Sequence, residues 1–191
     1  MARQTRRFVP RLEALDARAL PSVSITEFPD GTLQIVGDDA ANSIIISDAG
    51  NNLAGSVTVQ ADGQWYFSQG PITRISVYGN GGDDTVVYNL SSELSVNRTV
   101  SVDLGAGNDA FTANLDKQTF DPGTDFVIQA LGGGGKDALT LNATGVNIGA
   151  NAHFTVDFEG GHGKDGVTFN YAPASVDPTA AVLLTTDQRV R

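Results

Sequence analysis

Four glycine-rich turns, each closing on an aspartate, recur in phase along this chain, and no other feature restricts its fold as tightly. "NGGDDTVVYNL" places the acid at Asp84, "GAGNDAFTANL" at Asp109, "GGGKDALTLNA" at Asp137 and "GHGKDGVTFNY" at Asp165. The turns therefore lie 25, 28 and 28 residues apart. Around them the apolar residues also align. Nine residues before the acid stand Ile75, Val100, Ile128 and Val156; two after it stand Val86, Phe111, Leu139 and Val167; four after it stand Tyr88, Ala113, Leu141 and Phe169. These columns alternate with small or polar ones, the period-2 pattern of strands with one buried face.

Each unit reads as strand, glycine turn, strand and a connector without helical periodicity. A unit this short has too little apolar surface to fold alone, whereas stacked copies share one continuous core. The pattern predicts an all-β, right-handed parallel β-solenoid (a β-helix) of roughly five coils over residues 23–191, right-handed because parallel crossovers almost always are. A fifth, upstream copy, "TLQIVGDDAANSIIIS", puts Asn42 where the acid stands elsewhere, with Leu33, Ile35, Ile44 and Ile46 in core columns. The excess length before Asp84 reads as a hairpin inserted near 55–68, with "ADGQ" as its turn. Trp65 and Phe67 are expected to cover an end or flank of the core. "AAVLLTT" at 180–186 reads as the first strand of an incomplete last coil.

Residues 1–22 are of another kind. Residues 1–18 hold five arginines against two acids, whereas residues 19–188 hold five basic and 20 acidic residues within a net charge of −10. Pro10 to Leu20 can form a short helix with Leu12, Leu15 and Ala19 on one face, a cap for the open end of the solenoid. The acidic body argues against a nucleic-acid partner. No apolar run is long enough for a transmembrane helix, and with no cysteine there are neither disulfides nor thiolate metal sites.

The turns carry the main chemical question. Parallel coils stack about 4.8 Å apart, so Asp84, Asp109, Asp137 and Asp165 would form a ladder of like charges. A hard divalent cation with oxygen ligands would relieve the repulsion. So would Lys136 and Lys164, which adjoin Asp137 and Asp165, and Asp also favours tight turns without any metal. Five residues after each acid stands Asn89, Asn114, Asn142 or Asn170, the spacing for an amide ladder along the stack. With Thr112, Thr140 and Thr168 two residues earlier, this makes a flat polar grid that could bind polysaccharide or ice. His153 and His162 have no evident nucleophile beside them, and no hydrolase or metalloprotease motif is present. Asp103 and Asp157 are the carboxylates a polysaccharide lyase or hydrolase would use, the weakest of these readings; the chain is expected not to be an enzyme.

The turns "GAGNDAF", "GGGKDAL" and "GHGKDGV", and "NGGDDTV" with Asn80 at the first glycine, resemble the G-x-G-x-D-x-apolar part of the RTX, or hemolysin-type calcium-binding, repeat. The family places that motif every nine residues; here it occurs once per coil, on one edge. The resemblance implies Ca²⁺ held between coils by Asp84, Asp109, Asp137 and Asp165. The Asp84/Asp109 pair is the best candidate, because Asp83 and Asn108 add further oxygens. The N-terminal "RRFVPRLEALDARALPS" is similar to a short sorting segment of bacterial surface repeat proteins. That similarity implies an extracellular or cell-surface location in a bacterium. Together these expectations describe a non-catalytic, calcium-stabilised structural or adhesive module, with self-association through its open coil ends as a further possibility.

Overall fold

The computed structural model describes residues 23–187; the expected helix within 1–22 lies outside the described residues. Strands, numbered in chain order, form three sheets. The first runs β1 (Ser24–Glu27), β2 (Thr32–Val36), β6 (Arg74–Tyr78), β8 (Arg98–Asp103), β11 (Asp125–Gly135), β14 (His153–Gly163) and β17 (Ala181–Asp187). The second runs β15 (Gly166–Ala172), β12 (Ala138–Thr144), β9 (Ala110–Asn114), β7 (Thr85–Leu90), β3 (Ser43–Asp48), β4 (Val57–Ala61) and β5 (Gln64–Phe67). The third is a narrow strip of β10 (Thr119–Phe120), β13 (Asn147–Ile148) and β16 (Ser175–Val176), contributed by the connectors.

The chain is a β-solenoid. The glycine turn carries it from the first sheet to the second, and the connector returns it to the first one rung further on. Ile75, Val100, Ile128 and Val156 stand in register on parallel neighbours, as do Val86, Phe111, Leu139 and Val167. The first seven of these eight are fully buried, as are Leu33, Ile35, Ile44 and Ile46 of the upstream copy. Phe120, Phe126 and Phe154 meet inside the later coils with centroids 5.1–5.7 Å apart.

Antiparallel strands close the N-terminal end: β1 on β2, β4 on β3 and β5 on β4. Asp62 and Gly63, at φ of 45° and 80°, form the two-residue hairpin turn, the conformation that matches the twist of paired strands. At the other end Val167, Phe169, Tyr171, Val182 and Leu184 occupy core columns but are only partly buried, because no coil among the described residues covers them.

Contrary to expectation, Trp65 and Phe67 do not cover the core; they are 60% and 54% exposed. Across the hairpin Val59 pairs with Tyr66, while Gln60 and Thr58 pair with Trp65 and Phe67. Val59 is buried, so Tyr66 shares its inward side and Trp65 and Phe67 share the outward side. Tyr66 packs against the core and its hydroxyl donates to Glu27 Oε2 at 2.6 Å.

Candidate functional site

The glycine turns stack in register, and their backbones bond directly from coil to coil: the amide of Ala106 donates to the Asn80 carbonyl and that of Gly134 to the Gly105 carbonyl. The corner residue Gly105 has φ +94°, and a Cβ there would collide with the Asn80 carbonyl oxygen. Only glycine supplies that conformation at that distance from a neighbouring backbone.

The acids of the turns are brought together, but through the backbone. Oδ1 of Asp84 accepts the amide of Asn42 at 2.8 Å, and Oδ1 of Asp109 accepts the amide of Asp84 at 2.7 Å. Oδ1 of Asp137 accepts from Asp109 at 2.9 Å, and Oδ1 of Asp165 from Asp137 at 3.0 Å. Each carboxylate thus reaches back one coil. Among the described residues Asn42 stands first in the series, and its Oδ1 accepts the amide of Asp38 in its own turn at 3.1 Å. Amide partners favour the ionised carboxylate and offset part of the like-charge repulsion.

The second oxygen has a different setting. Oδ2 of Asp84, Asp109 and Asp137 is buried with no hydrogen-bond partner. The Asp84 Oδ2 faces Gly79, where a Cβ would overlap both that oxygen and the Leu104 carbonyl oxygen. At Gly132 and Gly160 a Cβ would lie 2.6 Å from Asp137 Oδ2 and 2.8 Å from Asp165 Oδ2. The glycine five residues before these acids presents Cα–H to the carboxylate, a weak contact that leaves no room for a side chain. Burial, the largest cause, pushes the Asp84 carboxyl up to about 6, against the lowering effect of the Asn42 amide; the charge of Asp109 adds to the rise. Asp109 and Asp137 are raised as well, again chiefly by burial.

A second ladder runs the other way along the turn surface. Asp83 Oδ1 accepts both the amide and Nδ2 of Asn108, at 2.8 and 3.2 Å, and Asn108 Oδ1 accepts the amide of Lys136 at 3.1 Å. The asparagines form a third. Asn114, Asn142 and Asn170 donate from Nδ2 to Oδ1 of Asn89, Asn114 and Asn142, each at 2.8 Å. As a cation site, the turns offer the three buried Oδ2 atoms. Oδ1 of each acid and the carbonyls of Asn80, Gly105 and Gly134 are already engaged between coils. Among the described residues, no three His, Cys, Asp or Glu side chains converge as a metal-holding group.

The sequence reading missed a buried ionic cluster. Arg98 Nε lies 2.6 Å from Asp48 Oδ2, Arg98 Nη2 donates to Asp48 Oδ1 at 3.1 Å, and the Tyr88 hydroxyl donates to Asp48 Oδ2 at 2.8 Å. Asp48 falls six residues after Asn42, in the column of Leu90, and Arg98 pairs with Phe126. Two charges at otherwise apolar columns were the available signal.

The remaining candidates are dispersed. Asp103 pairs with Leu131, which pairs with Glu159, while Asp157 pairs with Gln129 and Thr185 and accepts from Thr185 Oγ1 at 2.7 Å. The two carboxylates therefore stand in different columns, two coils apart. His153 begins β14, with its Nδ1 2.6 Å from Asp125 Oδ1. His162 is exposed in its glycine turn. Comparisons with protein-family models, with curated proteins and with solved structures find no match to this chain.

Proposed function

We propose that the chain is a non-catalytic solenoid module with a structural or adhesive role outside a bacterial cell. One observation carries this reading: the polar columns that the repeat maintains are engaged in bonds between coils. The acids hold amides of the preceding coil, Asp83 and Asn108 hold amides of the following one, and the asparagines hold one another. These bonds favour a stiff rod of defined length, which suits a spacer or a presented surface. The extracellular location is supported by the similarity of the N-terminal segment to bacterial sorting segments. External protease added to intact cells of the producing organism tests it. The chain should be degraded on the cells or recovered from the medium; protection until lysis would contradict the location.

A second reading, calcium stabilisation, is favoured by the three buried, unpartnered Oδ2 atoms, since such atoms call for an explanation, and by the resemblance of the turns to calcium-binding repeats. Binding to the native state alone would stabilise it by about 2.7 kcal/mol at a hundredfold excess over Kd. The test is a melt in chelator against one in millimolar Ca²⁺, with superimposable curves refuting it.

A further inference from the structure

The outer face of the second sheet differs from the rest of the molecule. Its outward positions on β3, β7, β9, β12 and β15 are Ser, Thr, Asn, Ala, Gly, Ile or Val, without one ionisable residue. The register continues this face across the inserted hairpin. Ile45 pairs with Gln60 and Gln60 with Trp65; Ser47 pairs with Thr58 and Thr58 with Phe67. In a chain of net charge −10, with 18% charged residues, a sheet face this long without charge is a departure. The outer face of the first sheet carries Asp103, Asp157, Glu159 and Asp187 instead.

One end of the neutral face carries a pair of aromatic side chains. Trp65 and Phe67 have centroids 6.3 Å apart and ring planes within 17° of parallel. Both are more than half exposed. Beyond them run columns of threonine and asparagine at the inter-strand spacing of about 4.8 Å. Each asparagine in the middle of the ladder uses one N–H and one acceptor position on its neighbours. That leaves a second N–H and a second lone pair for a ligand.

We infer that this face binds a neutral polysaccharide chain, anchored on Trp65 and Phe67 and lying along the Thr/Asn columns. The inference rests on the adhesive reading above and names its ligand class. An uncharged, hydroxyl-rich polymer with apolar C–H faces matches each element of the surface. Exposed aromatic rings offer large contact area at low entropic cost, the amides and hydroxyls pair with sugar hydroxyls, and a neutral ligand has no charged group on the face to desolvate. An acidic polymer is disfavoured by the field of the acidic body. Ice would call for a uniform face without the aromatic pair, and a second copy for a more apolar one.

Native gel electrophoresis through hydroxyethylcellulose, galactomannan or, as the charged control, polygalacturonate tests the inference. The wild type should be retarded by a neutral polymer and not by polygalacturonate. Trp65→Ala, and separately Thr140→Asp, which puts a charge in the middle of the face, should weaken retardation about tenfold or more, as loss of a binding hot spot does. Asp157→Asn on the opposite face should leave it unchanged, and far-UV circular dichroism should show all variants folded. No retardation of the wild type by either neutral polymer overturns the inference, even where protease accessibility upholds an extracellular scaffold. So does retardation that both face variants retain. Two further results overturn it when the neutral polymers do not retard the wild type: inhibition of ice growth, and self-association that Trp65→Ala abolishes.

Discussion

The Asp109 carboxylate accepts the backbone amide of Asp84 at 2.7 Å, 25 residues earlier in sequence and one coil away in space. This single contact joins what the repeat keeps constant, the acid of the turn, to what the solenoid needs, a fixed vertical register. It also sets a cost. The carboxylate gains an amide but loses water, and burial outweighs the amide in its effect on the carboxyl group.

The pH dependence of stability follows from that balance. Asp84 is the most affected of the ladder acids, raised from the usual range to about 6. A folded-state value above the unfolded one means that the native protein holds a proton where the unfolded chain has released it. The stabilisation is then full below about pH 4 and is lost as pH rises through about 6. Urea midpoints at pH 4.5 and 7.5 should show the wild type more stable at the lower pH. The Asp84→Asn variant should lack roughly 1–3 kcal/mol of that difference; an identical pH response in both would place the effect elsewhere.

The asparagine ladder makes a separate prediction. Asn114 both donates to Asn89 and accepts from Asn142, so Asn114→Ala removes two hydrogen bonds from a partly exposed column. The expected loss is about 1–2 kcal/mol, on the usual scale for such bonds, with an unchanged denaturant slope because the surface buried is nearly the same. Asn170→Ala, at the open end with one bond to lose, should lose less.

Arg98 and Asp48 predict a non-additive pair. Both are fully buried, and Arg98→Met alone strands the Asp48 carboxylate, at a cost of about 3–5 kcal/mol. Arg98→Met with Asp48→Leu and Tyr88→Phe restores apolar columns like those of the later coils and should recover most of that loss. Chemical denaturation of the single and triple variants checks this. If the triple variant falls as far as the single one, the cluster supplies specificity that apolar packing does not replace.

The columns were legible because period 2 within strands and a 25–28-residue period between them acted on the same residues. Ile75, Val100, Ile128 and Val156 satisfy both. What escaped lacks one of the two. The strips β10, β13 and β16 are two residues long, too short for any alternation to register. Strand β1 is antiparallel and outside the repeat. Asp48 and Arg98 are each unlike their columns, and only their meeting across the core explains both. Trp65 and Phe67 are expected over an end or flank of the core and stand on the outward side instead. The two-residue turn at Asp62 and Gly63 sets Val59 opposite Tyr66, and a shift of one residue exchanges the two faces. The metal question was undecidable from spacing, since a turn acid that binds a cation and one that binds an amide occupy the same position.

Gly79 tests the packing under the ladder. A Cβ there would overlap Asp84 Oδ2 and the Leu104 carbonyl oxygen, so Gly79→Ala should destabilise by about 1–3 kcal/mol, as overpacking does. Gly55, around which nothing lies within 4 Å of such a Cβ, also has φ +76°; Gly55→Ala carries backbone strain without collision and should lose less. Equal losses in thermal melts would mean that the atoms around Gly79 give way at no more cost than the backbone strain at Gly55, and that contact does not restrict position 79.

The most direct measurement compares Asp109→Asn with Asp109→Ala by equilibrium urea denaturation at pH 7.5, each in excess chelator and in millimolar Ca²⁺. Asparagine keeps an oxygen for the Asp84 amide and removes a buried charge; alanine leaves that amide without its partner. If the turn acids hold the coils together through backbone amides, Asp109→Asn stays within about 0.5 kcal/mol of the wild type or exceeds it. Asp109→Ala then loses about 1–3 kcal/mol, the scale for a buried donor left unsatisfied, with and without calcium alike. Equal losses in the two variants, present in calcium and absent in chelator, would contradict this and make the turn acids metal ligands.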